Sequence, residues 1–241
     1  MIKLFIFFFL SLEAFAGIKV YKVTGNVSYY SSDGKRIEIS TGSYLSTGMT
    51  IKTSSASEVE LVYDDGIMIL LSENSSLTIG LQKSTSSSIS FLNIFDLATD
   101  VWADEGFSDN GWLDYLYGKA MFFVNKLENM QYKIKTPIAV FGVRGTNFSI
   151  ISDNNSSEIG VFKGEIEVMK GDERVVLKAG QSAIVDKIKI RLQNRFSSIM
   201  EKERKRAHRL ERYFENVMRK LKERDERTVE KINRLRNRLK Q

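Results

Sequence analysis

From Gly17 to Asp186 the chain is built of short runs in which apolar and polar residues alternate, punctuated by glycine. The run "VSYYSSDGKRIEIS" places Asp33-Gly34 between two such segments, and "EVELVYDDGIMILL" does the same with Asp65-Gly66. Alternation with a period of two is the mark of a strand with one buried face, and an Asp-Gly pair supplies the positive φ angles of a tight hairpin turn. Both stretches therefore predict β-hairpins, and Asp64-Asp65 is assigned to turn chemistry because no third acidic or imidazole ligand accompanies it. The two ends of the region echo each other. "TGNVSYYSSDGKRIEISTGSYL" carries Gly25, Gly34 and Gly42, and "KGEIEVMKGDERVVLKAGQSAI" carries Gly164, Gly171 and Gly180. Short strands with regular turns predict one mainly β domain over residues 17–186: an all-β sandwich, a roll or a short solenoid.

After Asp186 the pattern changes. Glycine and proline are absent, and apolar residues recur at Phe196, Met200, Ala207, Leu210, Phe214, Val217, Met218, Leu221, Ile232, Leu235 and Leu239. Steps of three and four with charges between them predict a helix bearing one narrow apolar stripe. Residues 187–241 thus form a basic amphipathic helix, expected to start near Ile190, with Ile188, Ile190, Leu192 and Phe196 packing back on the sheet. Beyond about Met200 the density of lysine, arginine and glutamate predicts a projecting segment, since those residues are rarely buried. Fifty helical residues would reach about 75 Å. A coiled coil with a second copy is the natural remedy, although Asp225 and Thr228 interrupt the seam.

Charge divides at the same junction. Residues 187–241 hold 20 basic against 8 acidic residues, a net of +12, and residues 1–186 hold 16 against 22, a net of −6, which together return the chain's +6. The start of the chain sets the compartment. Met1-Ile2-Lys3 is basic, "LFIFFFLSL" (Leu4 to Leu12) is apolar but too short to span a bilayer, and Ala14-Phe15-Ala16 suits a signal peptidase. Residues 1–16 are expected to be a signal peptide cleaved before Gly17, giving an exported protein of the periplasm or cell envelope. The chain has no cysteine, so neither disulfides nor thiol chemistry is available to it. Export also argues against nucleic acid as the target of the basic tail, leaving anionic lipid or wall polymer as a peripheral contact.

The segment from Gln82 to Gln131 is looser and mixes aromatics with acids. Trp102, Trp112 and Tyr115 are candidate binding-surface residues, because exposed aromatic rings stack on sugars, and a carboxylate pair including Asp104 or Asp114 would be the minimum for a glycosidase. Packing of these aromatics on the sheet is the simpler expectation. The one histidine, His208, falls in the charged helix; no nucleophile elbow, phosphate loop or metal-ligand cluster occurs. No catalytic residue, metal or cofactor is therefore assigned.

The sharpest motif is "KTPIAVFGVRGTNFSI", residues 135–150, with the chain's one proline, Pro137, and an arginine between Gly142 and Gly145. Thr136-Pro137 forces an extended start, and the glycines allow a tight turn or a close approach. Arg144 is expected to point inward, its five-donor fork bonded to carbonyls of the irregular turn. Thr136, Pro137, Ala139, Val143, Arg144, Gly145, Thr146 and Phe148 fill the positions of T-P-x-A-x-x-x-V-R-G-T-x-F, and the segment resembles the signature of the FecR domain, a bacterial envelope module. "GSYLSTGMTIKTSSASEVELVYDDGIMILLSENSSLTI", "VFKGEIEV" and "LKAGQSAIV" resemble its other passages. The resemblance implies an all-β extracytoplasmic domain in which Thr136, Pro137, Gly142, Arg144, Gly145, Thr146 and Phe148 are structural. It does not imply iron signalling, because the anti-sigma and membrane segments of the iron-uptake regulators have no counterpart in this sequence. The expected function is a non-enzymatic binding or scaffolding protein whose helical tail mediates oligomerisation or docks a protein or cell-wall partner. Electrostatic attachment of the tail to anionic lipid or wall polymer is the alternative, and a carboxylate-based glycan-active enzyme the weakest.

Overall fold

A computed structural model describes residues 18–30, 34–63, 66–80, 82–83, 111–125, 131–143 and 145–238. The first strands are β1 (Ile18–Thr24), β2 (Val27–Tyr30), β3 (Arg36–Glu38), β4 (Tyr44–Leu45), β5 (Thr50–Thr53) and β6 (Glu58–Tyr63). Then come β7 (Ile67–Leu71), β8 (Ser76–Thr78), β9 (Gln82–Lys83), β10 (Gly111–Val124), β11 (Gln131–Lys135) and β12 (Val140–Val143). The last are β13 (Asn147–Ser152), β14 (Ser156–Lys163), β15 (Glu165–Lys170), β16 (Glu173–Lys178), β17 (Ser182–Asp186) and β18 (Ile190–Gln193), followed by α1 (Ser198–Arg238). The signal-peptide segment, Asp33, Asp64-Asp65, Trp102 and Arg144 lie outside the described residues.

The strands form one hydrogen-bonded ribbon of 18, folded into two layers. Layer A runs β4–β1–β6–β7–β10–β13–β14–β17–β18. Layer B runs β3–β2–β5–β8–β10–β11–β12–β15–β16. β10 belongs to both layers: its first half pairs with β8 and β11, its second with β7 and β13. Apolar faces of both layers close on one core that includes Val20, Leu61, Phe122 and Phe148 from layer A and Ile51, Tyr132, Phe141 and Val168 from layer B. The expected hairpins are present as β2–β3 and β6–β7, and the two-layer sandwich is the form the mainly β fold takes.

Chains pass between the layers at three equivalent corners. In each, a glycine with positive φ packs on a second positive-φ residue followed by serine or threonine: Gly25 on Ala56-Ser57, Gly118 on Asn74-Ser75, Gly164 on Gly145-Thr146. A Cβ on any of the three glycines would come within 2.4–2.5 Å of its neighbour, so only glycine fits. The hydroxyl ties the corner. Ser57 Oγ accepts from the Asn26 N–H at 2.9 Å, Ser75 Oγ accepts from the Lys119 N–H at 2.8 Å, and Thr146 Oγ1 donates to the Glu165 carbonyl at 2.8 Å. The internal echo has the same basis. β1 and β14 each leave layer A through a corner glycine, form a hairpin in layer B, and meet a returning strand, β4 or β17, as a partner in layer A.

The helix forms a third layer. "GIMILL" and "KAMFFV" are apolar at consecutive positions because their strands are covered on both faces. Ile69, Leu71 and Phe122 face the sandwich core, while Met68, Leu70, Met121 and Phe123 face α1 through Ala207, Phe214 and Val217. Phe123 and Phe214 stack at 5.2 Å, and Met200 sits over Gly160 in a space that admits no side chain there.

Two expectations about the tail are corrected. The helix starts at Ser198, not near Ile190, because the alternation of the sheet continues through "IKIRLQ". Asp186 Oδ1 accepts the backbone N–H groups of Ile188 and Lys189 at 2.8 and 3.0 Å, closing a turn without glycine, and β18 pairs back on β17. Ser197 caps α1 by accepting the Met200 N–H at 3.1 Å. Ile190 is buried, but Ile188 and Leu192 are 85% and 58% exposed rather than packed on the sheet. Nor does the helix leave the domain at Met200: Ala207, Phe214 and Val217 are buried and Leu221 still packs on layer A. Its charges do not prevent this because the rim of layer A answers them. Arg206 pairs with Glu58, Lys119 Nζ lies 3.1 Å from Glu203 Oε1, Lys163 Nζ lies 2.9 Å from Glu211 Oε1, and the Tyr213 hydroxyl donates to Glu60 at 2.6 Å.

Candidate interaction surface

The described part of the motif segment runs from the end of β11 through β12 into β13. Thr136 opens the turn between β11 and β12: its N–H donates to the Ala139 carbonyl at 2.8 Å, and its Oγ1 accepts the Ala139 N–H at 3.1 Å. The same buried hydroxyl lies 2.9 Å from Ser157 Oγ, which lies 2.7 Å from Ser152 Oγ, so a chain of hydroxyls joins layer B to layer A. Pro137 sits in that turn. Gly145 and Thr146 form the third corner, and Phe148, fully buried, stacks on Phe122 at 4.8 Å. Gly142 differs from expectation: it lies within β12 between Lys133 and Glu167, and a Cβ there would meet nothing nearer than 3.6 Å. Neither a tight turn nor a close approach requires glycine at that position.

Asp114 also has a structural role. It is completely buried, its Oδ2 accepting the hydroxyls of Tyr63 at 2.6 Å and Tyr132 at 2.8 Å, and its Oδ1 accepting the Gly80 N–H at 2.9 Å. Burial first, then the negative charge of Asp114, then Tyr63 and the hydrogen bond to Asp114, push the Tyr132 phenol well above its ordinary range. A carboxylate so enclosed cannot reach a substrate. Of the aromatic candidates, Trp112 and Tyr115 lie on β10, opposite Tyr132 and Lys135 of β11. Tyr115 is partly exposed, and burial raises its phenol above the usual value. His208 is exposed at the rim of a cleft of about 440 Å3 where Lys163 and Arg204 are already paired with Glu211 and Glu201. Among the described residues, no group of three acidic or histidine side chains is placed to hold a metal, and no helix is long and apolar enough to cross a membrane.

What the structure leaves uncovered is the far end of α1. Beyond Leu221 the helix overhangs layer A, and Val229, Ile232 and Leu235 are 56%, 40% and 58% exposed. Between this overhang and the end of layer A lies a cleft of about 910 Å3, lined by Lys19, Tyr44, Met218, Leu221, Lys222 and Val229 among others. Tyr44 is 61% exposed on its wall. The stripe was legible in the sequence, although Val229 falls one step off it. Tyr44 and Lys19 were not, because only the β1–β4 pairing brings them to this end of the sheet.

Residues 97–167 match the family described as FecR protein, a span of less than a third of the chain that contains the whole T-P to N-F segment. It is shorter than the 17–186 span over which the sequence resembles the domain, and it is consistent with a FecR-domain protein. No curated protein matches the chain. Two crystal structures of a candidate anti-sigma factor from Parabacteroides distasonis ATCC 8503, at 1.65 and 2.50 Å, are similar to it. Each is 17% identical with a TM-score of 0.44, and the similarity covers 61% of this chain and 59% of theirs.

Proposed function

We propose that this is a non-enzymatic, extracytoplasmic binding or scaffolding module of the bacterial envelope, built on a FecR-like sandwich, whose distal helix docks a protein partner or a second copy. The observation that carries this reading is the division of α1. Its first half is committed to layer A through Ala207, Phe214, Val217 and Leu221, while its second half presents Val229, Ile232 and Leu235 to whatever approaches. A stripe that continues past the surface it covers is an interaction surface in waiting. Export rests on the leader-like residues 1–16.

The test is site-specific crosslinking in intact cells, with a photoreactive amino acid at Val229. A discrete protein adduct, to another protein or to a second copy, that is lost on Leu235→Asp supports the reading; absence of any protein adduct removes it. The net positive charge of the tail favours a second reading, attachment to anionic lipid or wall polymer. Lipid adducts in the same experiment would favour that reading instead.

A further inference from the structure

We infer that β18 is an acceptor edge, to which an extended acidic segment of a partner protein adds as a further strand of layer A. This surface is separate from the distal half of α1. The turn that precedes β18 fixes which of its backbone groups are free. The Asp186 N–H donates to the Lys189 carbonyl at 3.2 Å. Bonds alternate along an antiparallel ladder, so Arg191 and Gln193 bond to Ile184 and Ser182 of β17, while Ile190 and Leu192 aim their N–H and C=O groups off the sheet. The Ile190 N–H shows the phase: it donates to Glu173 Oε2 of β16 at 3.0 Å. Leu192 is 58% exposed, and among the described residues no side chain caps its N–H in this way. The other sheet edges are blunted. β4 is two residues long. β16 mixes Glu173, Arg174 and Lys178, and Gln181 Oε1 accepts its Lys178 N–H at 2.7 Å. β18 instead carries charge of one sign.

Its side chains define what docks. Ile190 and Leu192 share the face toward the core, Ile190 being part of it, and Arg191 stands on the other, with Lys189 before it and Arg195 after β18. From Asp186 to Arg195 every residue is described, and one acid stands against Lys187, Lys189, Arg191 and Arg195. That acid is engaged: Asp186 Oδ2 lies 2.8 Å from Arg191 Nη2, and its Oδ1 accepts two backbone N–H groups. The neighbouring acids Asp153 and Glu173 also accept backbone N–H groups. Lys189 and Arg195 are exposed and form no ion pair among the described residues. A second copy is a poor occupant. The antiparallel registers that pair Ile190 and Leu192 of two copies set Arg191 against Lys189, Arg191 against Arg191, or Lys189 against Arg195, and like charges placed opposite each other are destabilising. Anionic lipid answers the cations but offers the edge no ladder of N–H and C=O groups. An extended peptide with carboxylates at alternate positions and apolar residues between them meets both demands.

The test uses the full chain and fluorescein-labelled peptides of about nine residues, read by anisotropy. One alternates glutamate with valine, one alternates lysine with valine, and one is the glutamate peptide with its valine amides N-methylated. The glutamate peptide should bind, its affinity falling about tenfold or more between roughly 50 and 500 mM salt, and the other two should not. Leu192→Pro removes the outward N–H at a position where an edge strand tolerates proline. It should weaken binding at least about tenfold and leave the melting midpoint unchanged. Lys189→Glu combined with Arg195→Glu should weaken it as much and transfer the preference to the lysine peptide. Should Leu192→Pro lower the midpoint, this charge variant decides. Leu235→Asp should leave peptide binding unchanged, which separates this edge from the helix surface. Equal binding of the glutamate and lysine peptides, binding of the N-methylated peptide, or indifference to the substitutions in β18 and its flanks overturns the inference. So does loss of binding on Leu235→Asp, or a dimer, seen by light scattering, that Leu192→Pro dissolves.

Discussion

Replacing Gly118 by alanine tests the corner on which the two layers turn. Gly118 has φ +95°, and an added Cβ would lie 2.4 Å from Ser75 Oγ, 2.6 Å from Ser75 Cβ and 2.7 Å from Ser75 Cα. The left-handed backbone alone costs about 1–2 kcal/mol for a residue with a Cβ. Overpacking against a backbone atom adds about 1–3 kcal/mol, because Ser75 cannot move without breaking the Lys119 N–H to Ser75 Oγ bond. The expected loss is therefore about 2–5 kcal/mol, measured by equilibrium urea unfolding of the whole chain. Ser75→Ala should not rescue it, since the Cβ and Cα remain in the way. Gly142→Ala is the control: with 3.6 Å of clearance and no positive φ, it should be neutral, or stabilising by up to about 1 kcal/mol. A Gly118→Ala protein within about 0.5 kcal/mol of the parent, or a Gly142→Ala protein equally damaged, would refute the assignment of the corners.

Asp114→Ala should cost about 3 kcal/mol or more, because it leaves two buried phenols and the Gly80 N–H without their acceptor, each at about 1–3 kcal/mol; urea unfolding checks it, and a neutral result would mean the cluster is solvated. Stability should also depend on pH at both ends, as thermal melts across pH will show. The carboxyls of Asp153 and Asp186 are held below their usual range chiefly by backbone N–H groups, those of Asn155 and Ser156 for the first and of Lys189 and Ile188 for the second. Their stabilisation is present above the unfolded pKa of about 3.9 and is lost as pH falls through the lower folded values, so Asp153→Asn with Asp186→Asn should flatten the acid limb. Tyr132, raised by burial and by Asp114, stabilises fully below the unfolded phenol pKa of about 10, and that contribution disappears as pH rises through its higher folded value.

Much of this fold was legible because its strongest signals are local. Asp-Gly turns, alternation and a three-four stripe each depend on a few neighbouring residues, and β2–β3, β6–β7 and α1 followed from them. The helix cover over layer A had a local sign too, the unbroken apolar runs of β7 and the second half of β10, but β7 was read as a strand with one buried face and the sign was missed. What failed was inference from charge density. Arginine and lysine on α1 argued for projection, but a docked helix needs one apolar face only, and Glu58 and Glu60, distant in sequence, receive Arg206 and Tyr213. The corners were hidden for a related reason. Ala56 and Asn74 adopt positive φ at corners where a glycine from another strand packs on Ala56-Ser57 or on Ser75, and that is a tertiary fact. Asp114 was indistinguishable from the surrounding acids until Tyr63 and Tyr132 were brought to it from other strands.

The account depends most on where α1 is held and where it is free, and hydrogen exchange of the intact protein reads this directly. Amides from about Met200 to Leu221 should be protected to the level of layer A, since that half opens only when Phe214 and Val217 leave the sheet. Amides from about Glu226 to Arg238 should exchange much faster. Uniform protection along the whole helix in a dilute monomer, or rapid exchange that begins at Met200, would contradict the account.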